Sequence, residues 1–225
     1  MIFITGDTHI PIDIHKLNTR NFKEQASLNK NDYVIICGDF GGVWSNNNED
    51  KYWQKWLRNR NFTTLFVDGN HENFDLLNQY EVSDWNGGKV HFINDSVIHL
   101  MRGQVFTING LKFFTMGGAT SIDKHLRKEG RSWWKEELPS KIEYDEALNN
   151  LDKHNWEVDY IITHTAPLKI VNTLVYSEDN NHLYSFFNMI DTDLNYKHWY
   201  FGHFHEDKKI DYKHSVVFNQ IIKVA

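Results

Sequence analysis

Five short apolar runs, Ile2 to Thr5, Tyr33 to Cys37, Phe62 to Val67, Tyr160 to Thr163 and His198 to Phe201, are nearly continuous rather than alternating, and each leads into glycine or a polar turn. Runs this short and this uniformly apolar predict strands buried on both faces. Between the first three lie segments of helical spacing, Phe22 to Leu28 and Tyr52 to Leu57. The N-terminal half therefore has a β-α-β-α-β rhythm and predicts parallel sheet. From Lys89 to Met116 the strands crowd together: Val97 to Leu100, then Val105 to Ile108, an Asn109-Gly110 turn, and Leu111 to Thr115. Asn-Gly between two β-rich runs marks a hairpin, and a second hairpin is expected between Lys208 and Phe218, around Tyr212-Lys213. No linker interrupts the 225 residues, a length that can bury one substantial core. The expectation is a single α/β domain over 1–225 with an inserted loop at about 117–139, charged, aromatic and weakly periodic.

The residues just past the strands carry the chemistry. Gly6-Asp7-Thr8-His9 follows the first run, Gly38-Asp39 the second, Asp68-Gly69-Asn70-His71-Glu72 the third, His164 the fourth and Gly202-His203-Phe204-His205 the fifth. Taken singly, Gly-Asp is a common turn and a lone histidine is ordinary. Five strands that all end in metal-capable side chains are a different matter, because ligands of α/β sheets bind at the carboxyl ends of the strands. These residues are expected to converge on one edge. An aspartate has two oxygens and can join two cations about 3.5–4 Å apart, the spacing of two-metal hydrolases. Asn70 adds a neutral oxygen, and neutral imidazoles add nitrogens suited to Zn, Fe or Mn.

The ordered set Asp-x-His, Gly-Asp, Gly-Asn-His-Glu, His and Gly-His-x-His, running from Asp7 to His205, resembles the calcineurin-like metallophosphoesterase superfamily. The block from Gly69 to Glu72 is similar to that of its phosphoprotein phosphatase branch. The resemblance implies an αββα sandwich of four layers, two mixed β-sheets flanked by helices, with two divalent metal ions at the C-terminal ends of the strands. It implies that Asp7, His9 and His205 bind one ion, that Asn70, His164 and His203 bind the other, and that Asp39 bridges both. His71 would be the catalytic histidine, protonating the leaving oxygen or stabilising charge there, since imidazole titrates near neutral pH. Asp68 and Glu72 are read as supporting or turn residues.

The implied reaction is hydrolysis of a phosphate ester by a hydroxide that the metals activate. A phosphomonoester is favoured over a diester, with a phosphodiesterase acting on cyclic or linear nucleotides as the alternative. A non-catalytic scaffold of the same fold is disfavoured, because His71 and every implied ligand are present. The substrate would be a phosphorylated small molecule, a nucleotide or a phosphoprotein, and the ions Mn, Fe or Zn. Two departures from the branch matter. Ile10 stands where it has a glycine after the first histidine, and Phe40-Gly41-Gly42-Val43-Trp44 lacks its arginine after the second Gly-Asp. Arg127 and Arg131 of the 117–139 segment are the candidates for gripping phosphoryl oxygens, with Trp133 and Trp134 available to stack on an aromatic leaving group. A solvated loop with one tryptophan anchored in the core is the alternative.

Composition narrows the setting. Lys and Arg total 24 against 30 Asp and Glu, a net charge of −6, which excludes sequence-independent binding to nucleic acid or an anionic membrane. Cys37, the single cysteine, lies inside a predicted strand, reads as a small core residue and can form no internal disulfide. No apolar run approaches the roughly 20 residues of a membrane span, and Met1 to Thr5 runs into Gly6-Asp7 without the features of a signal peptide. The expected compartment is the cytoplasm. Trp53 and Trp56, three apart on a predicted helix, are expected to face the core. His15, His91, His99, His154, His182, His198 and His214 follow no shared pattern.

Overall fold

β1 (Ile2–Thr5), β2 (Tyr33–Cys37) and β3 (Thr63–Val67) pair in parallel, as chains with two buried faces must when helices cover one side and a second sheet the other. The computed structural model describes every residue except 178 and 180. Between β2 and β3 runs α1 (Asn48–Arg58), which starts where the Asn47 side chain accepts from the backbone N–H groups of Glu49 and Asp50. Such a cap satisfies donors that the first turn leaves unpaired. Trp53 is buried beneath this helix and Trp56 partly so. The segment Phe22 to Leu28, expected to be helical, forms only a single 3-10 turn over Lys23–Ser27. Phe22 and Leu28 are buried at its ends, and the Gln25 amide donates to the carbonyls of Leu17 and Phe22. A side chain that takes up local carbonyls competes with helical bonds.

After β3 and the short α2 (Phe74–Leu77), the first sheet is completed by β4 (Val82–Trp85), β5 (Gly88–Asn94), β6 (Val97–Leu100) and β13 (Ile222–Lys223), in the order β13-β1-β2-β3-β6-β5-β4. The second sheet begins with β7 (Gln104–Ile108) and β8 (Leu111–Met116), the hairpin turned by Asn109-Gly110. Asn109 and Gly110 both have positive φ, as a two-residue turn of this kind demands. β9 (Tyr160–Thr163) pairs in parallel with β8 and β10 (His198–Phe201). β11 (Lys208–Lys209) and β12 (His214–Val216) supply the expected C-terminal hairpin, and the order is β11-β12-β10-β9-β8-β7.

Among the described residues, three apolar cores separate four layers. Ile4, Ile35, Leu65 and Val67 of the first sheet meet Phe106, Phe113 and Ile162 of the second in the middle. Phe3, Val34 and Phe66 pack outward against α1 and the Ile14–Leu17 turn. On the far side, Phe114, Ile161 and Trp199 pack against α3 (Lys141–Lys153), α4 (Leu168–Val171) and α5 (His182–Asp193). This is the αββα sandwich, with each sheet mixed because antiparallel edge strands flank a parallel centre. The 117–139 segment contains two single 3-10 turns, Lys124–Leu126 and Lys135–Glu137. It is anchored by buried Trp134, whose indole N–H donates to Asp75 at 2.8 Å, and by buried Glu137, which pairs with Lys124. Among the described residues no helix is long and apolar enough to cross a membrane.

Candidate metal centre

The five strand ends meet at one end of the sandwich, three from the first sheet and two from the second. Asp7 follows β1, and its fully buried carboxylate accepts from the backbone N–H of His203, 3.1 Å from each oxygen. His9 Nδ1 lies 2.9 Å from Asp13 Oδ2, and its Nε2 lies 3.1 Å from Asp39 Oδ2. Asp39 Oδ1 accepts from the backbone N–H of His71 at 2.7 Å and lies 3.2 Å from His164 Nε2. His164 is fully buried, its Nδ1 donating to the Cys37 carbonyl at 2.8 Å, so that Nε2 faces Asp39 and Asn70 Oδ1. Asn70 Nδ2 donates to Ser121 Oγ at 3.0 Å, which turns the amide oxygen inward. His203 sits 4.9 Å, ring to ring, from His164, and His205 Nε2 lies 3.2 Å from Asp7 Oδ2.

The backbone is bent to make this convergence. His9, Asp39, His203 and His205 all have positive φ, a conformation that costs non-glycine residues energy and persists where surrounding structure enforces it. Glycine is required at two points for a different reason. A Cβ on Gly69 would lie 2.0 Å from Asp39 Oδ1, and one on Gly202 would lie 2.1 Å from Asp7 Oδ1. The glycines preceding Asn70 and His203 thus leave room for the carboxylates rather than only bending the turns.

Burial raises a carboxyl's pKa, yet the charge of His164 and hydrogen bonds from His164 and His9 hold Asp39 well below the usual range. Burial likewise opposes charge on His164, but Asp39 and Asp7 outweigh it and push this imidazole up to about 9. His203 is driven down to about 4 by burial and by the neighbouring charge of His164. His71 is lowered by burial, which the attraction of Asp39 offsets only in part, and by Arg127. Glu72, buried beside Asp39, is pushed up to about 8. It accepts from the backbone N–H groups of Phe40 and Gly41 and so supports the turn after Asp39. Asp68 turns away from the centre to pair with Arg102 and His99, the supporting role expected of it.

The donor set fits divalent cations. Among the described residues, the groups within ion-pair distance of the Asp7 and Asp39 carboxylates are imidazoles. One ligand atom from each of Asp7, His9 and His205 lies within 4.8 Å of the other two. Asn70, His164 and His203 form a second group joined to the first through Asp39. His71 stands beside both, its ring 5.6 Å from that of His9, with the Arg127 terminal nitrogens 3.2 and 3.0 Å from its Nδ1 and Nε2. Arg127 also pairs with Asp123 at 2.8 Å. Arg131 is exposed and does not line the cleft. Three supporting residues escaped the sequence reading: Asp13, Ser121 and Lys16, whose ammonium donates to the carbonyls of Gly6, Asp7 and Phe218. Only Asp13 left a trace, four residues after His9.

The sequence profile of the calcineurin-like phosphoesterases matches residues 1–207. The chain belongs to that family. No curated protein matches it. Among solved structures, a proposed 5'-nucleotidase from Staphylococcus aureus, in complex with alpha-ketoglutarate, is similar at 16% identity and a TM-score of 0.49, over 96% of this chain and 48% of its own length. The chain thus spans about half the length of that structure.

Proposed function

We propose that this chain is a metal-dependent phosphoesterase, specifically a binuclear phosphomonoesterase of the cytoplasm, built as one domain over 1–225. Asp7, His9 and His205 would hold one divalent ion and Asn70, His164 and His203 the other. Asp39 would be shared, with Mn, Fe or Zn as the ions. The observation that carries the reading is that Asp39 presents its two oxygens to different imidazoles, Oδ2 to His9 and Oδ1 to His164, one from each ligand group. Divalent ions, when bound, supply Lewis acidity and lower the pKa of water toward neutrality.

The protein's residues do the rest. Ser121 and the Cys37 carbonyl fix the orientations of Asn70 and His164 before any substrate arrives. His71, held by its own backbone N–H on Asp39, carries the proton for the departing oxygen. Arg127, beside His71 and lining the cavity of about 460 Å³ that contains Asp39, Asn70 and His203, binds the non-bridging oxygens. A guanidinium there favours the dianion of a monoester over the monoanion of a diester.

p-Nitrophenyl phosphate and bis-p-nitrophenyl phosphate, each assayed with Mn²⁺ and with excess chelator, test the proposal. Metal-dependent turnover that prefers the monoester is expected. A strong diester preference would overturn the monoester assignment, and no turnover of either would overturn the catalytic one.

A further inference from the structure

A second cavity, of about 290 Å³, opens on the other side of His71. It shares His71 and His9 with the metal centre, and Gly41 forms part of its wall. Its remaining surface comes from Ile10, Pro11, Ile12, Trp44 and Ser45, together with Glu49 and Asp50. Two of these side chains are fixed from outside. Trp44 stacks edge-on with Trp134, ring centres 5.7 Å apart, and Asp50 accepts from the backbone N–H groups of Trp44, Ser45 and Asn46. The larger cavity contains Arg127, Asn70 and His203; the smaller contains no arginine or lysine. Both walls carry carboxylates, Asp39, Asp123 and Glu206 in the larger and Glu49 and Asp50 in the smaller, so the guanidinium of Arg127 is what directs a phosphoryl group to the larger.

We propose that the smaller cavity receives the leaving group of the ester, and that this group is an uncharged aromatic alcohol. The inference rests on the hydrolase reading above and adds the substrate class to it. His71 lies on the boundary of the two cavities, so a phosphoryl group beside Arg127 places its bridging oxygen next to the imidazole and its organic substituent against Ile10, Ile12 and Trp44. On hydrolysis the phosphorus–oxygen bond to that substituent breaks as water's oxygen bonds to phosphorus. The departing oxygen leaves with the proton from His71 as a neutral alcohol. A flat apolar group gains from contact with Trp44 and the aliphatic wall, whereas a second phosphate meets the carboxylates of Glu49 and Asp50.

Benzyl and ethyl derivatives test this, since their alcohols are of similar acidity and differ chiefly in the ring. Calorimetry with the non-hydrolysable benzylphosphonate and ethylphosphonate, in the presence of Mn²⁺, reads the cavity without turnover. Steady-state rates on benzyl, 4-carboxybenzyl and ethyl phosphate read it with turnover. Benzylphosphonate is expected to bind roughly 10-fold or more tightly than ethylphosphonate, the scale of hydrophobic pocket discrimination. Trp44→Ala should narrow that ratio. So should Ile12→Ser, a change at a residue 74% exposed that does not put folding at stake. Benzyl phosphate should be preferred to its 4-carboxy analogue at low salt, and Glu49→Gln should shrink this preference. Equal binding of the two phosphonates, or a ratio that survives both cavity variants, would overturn the assignment while leaving the hydrolase reading intact if the esters are still turned over. Failure to hydrolyse any ester or bind either phosphonate would remove the hydrolase reading, and this one with it.

Discussion

Asp39 and His71 are adjacent in space but ask for opposite experimental signatures. Asp39 gives one oxygen to each ligand group, so Asp39→Asn should release both ions, measurable by metal analysis after gel filtration. His71 touches Asp39 only through its backbone N–H. His71→Ala should therefore keep metal content near that of the parent while lowering turnover by roughly 10²–10⁴, the usual worth of a general acid. Equal loss of metal in His71→Ala would show that its ring is a ligand. Gly69→Ala belongs with the first class, because the added Cβ would fall 2.0 Å from Asp39 Oδ1. Asp7, His9, Asp39, Asn70, His164, His203 and His205 all lie at this centre, since a residue placed immediately after a strand inherits the strand's position, whereas Asp68 turns away to Arg102. Ser121 was not legible: its partner Asn70 is 51 residues away, across an irregular segment with no periodicity. Arg131 lies in the same segment as Arg127 and shares its chemistry, yet it is exposed and outside the cleft. Pattern alone does not say which side of a loop faces a site.

Strands and hairpins were easier to read than helices because their signals are local. β2, β9 and β10 begin and end where the apolar runs do, and Asn109-Gly110 turns its hairpin. Phe22 to Leu28 shows the opposite case, in which helical spacing of apolar residues records only that both ends reach the core. His214, patternless in the sequence, proves to be an element-level joint. On β12, its ring lies 3.1 Å from Asp191 of α5 and 3.0 Å from Asp211. Asp191 also takes Lys169 of α4 at 2.5 Å and the Tyr196 hydroxyl. Burial pushes the Asp191 carboxyl up, but hydrogen bonds from His214, Lys169 and Tyr196 more than reverse it and leave the pKa lowered. A carboxyl depressed in the folded state stabilises it above the unfolded value, about 3.9, and loses that contribution as the pH falls toward the folded value. Asp191→Asn should thus cost roughly 1–3 kcal/mol near neutrality, and its melting curve should approach that of the parent as the pH drops below about 4. A difference between the two that stays constant with pH would show that the carboxylate's charge does not matter there.

Among the described residues two sheets form the whole, as the family resemblance implied, and the five strand ends expected to converge do meet at one end of the sandwich. They come from both sheets, with Asp7, Asp39 and Asn70 beyond the first and His164, His203 and His205 beyond the second. Bound cations would consequently tie the two sheets together across the middle core. The protein also has links there that need no ion: His203 N–H to Asp7 and His164 Nδ1 to the Cys37 carbonyl. Chelation should therefore lower the melting temperature without unfolding the chain at 25 °C. At a free ion concentration 100 times Kd the gain is about 2.7 kcal/mol per site. With about 2–4 °C per kcal/mol for a chain of this size, a rise on the order of 5–10 °C with Mn²⁺ over chelator is expected for one such site. Far-ultraviolet circular dichroism should be the same in both conditions. Asp39→Asn should abolish most of the rise, because removing the shared oxygen removes the tie between sheets. A parent protein whose melting temperature is indifferent to saturating Mn²⁺ would mean that the cations do not join the two halves of the sandwich.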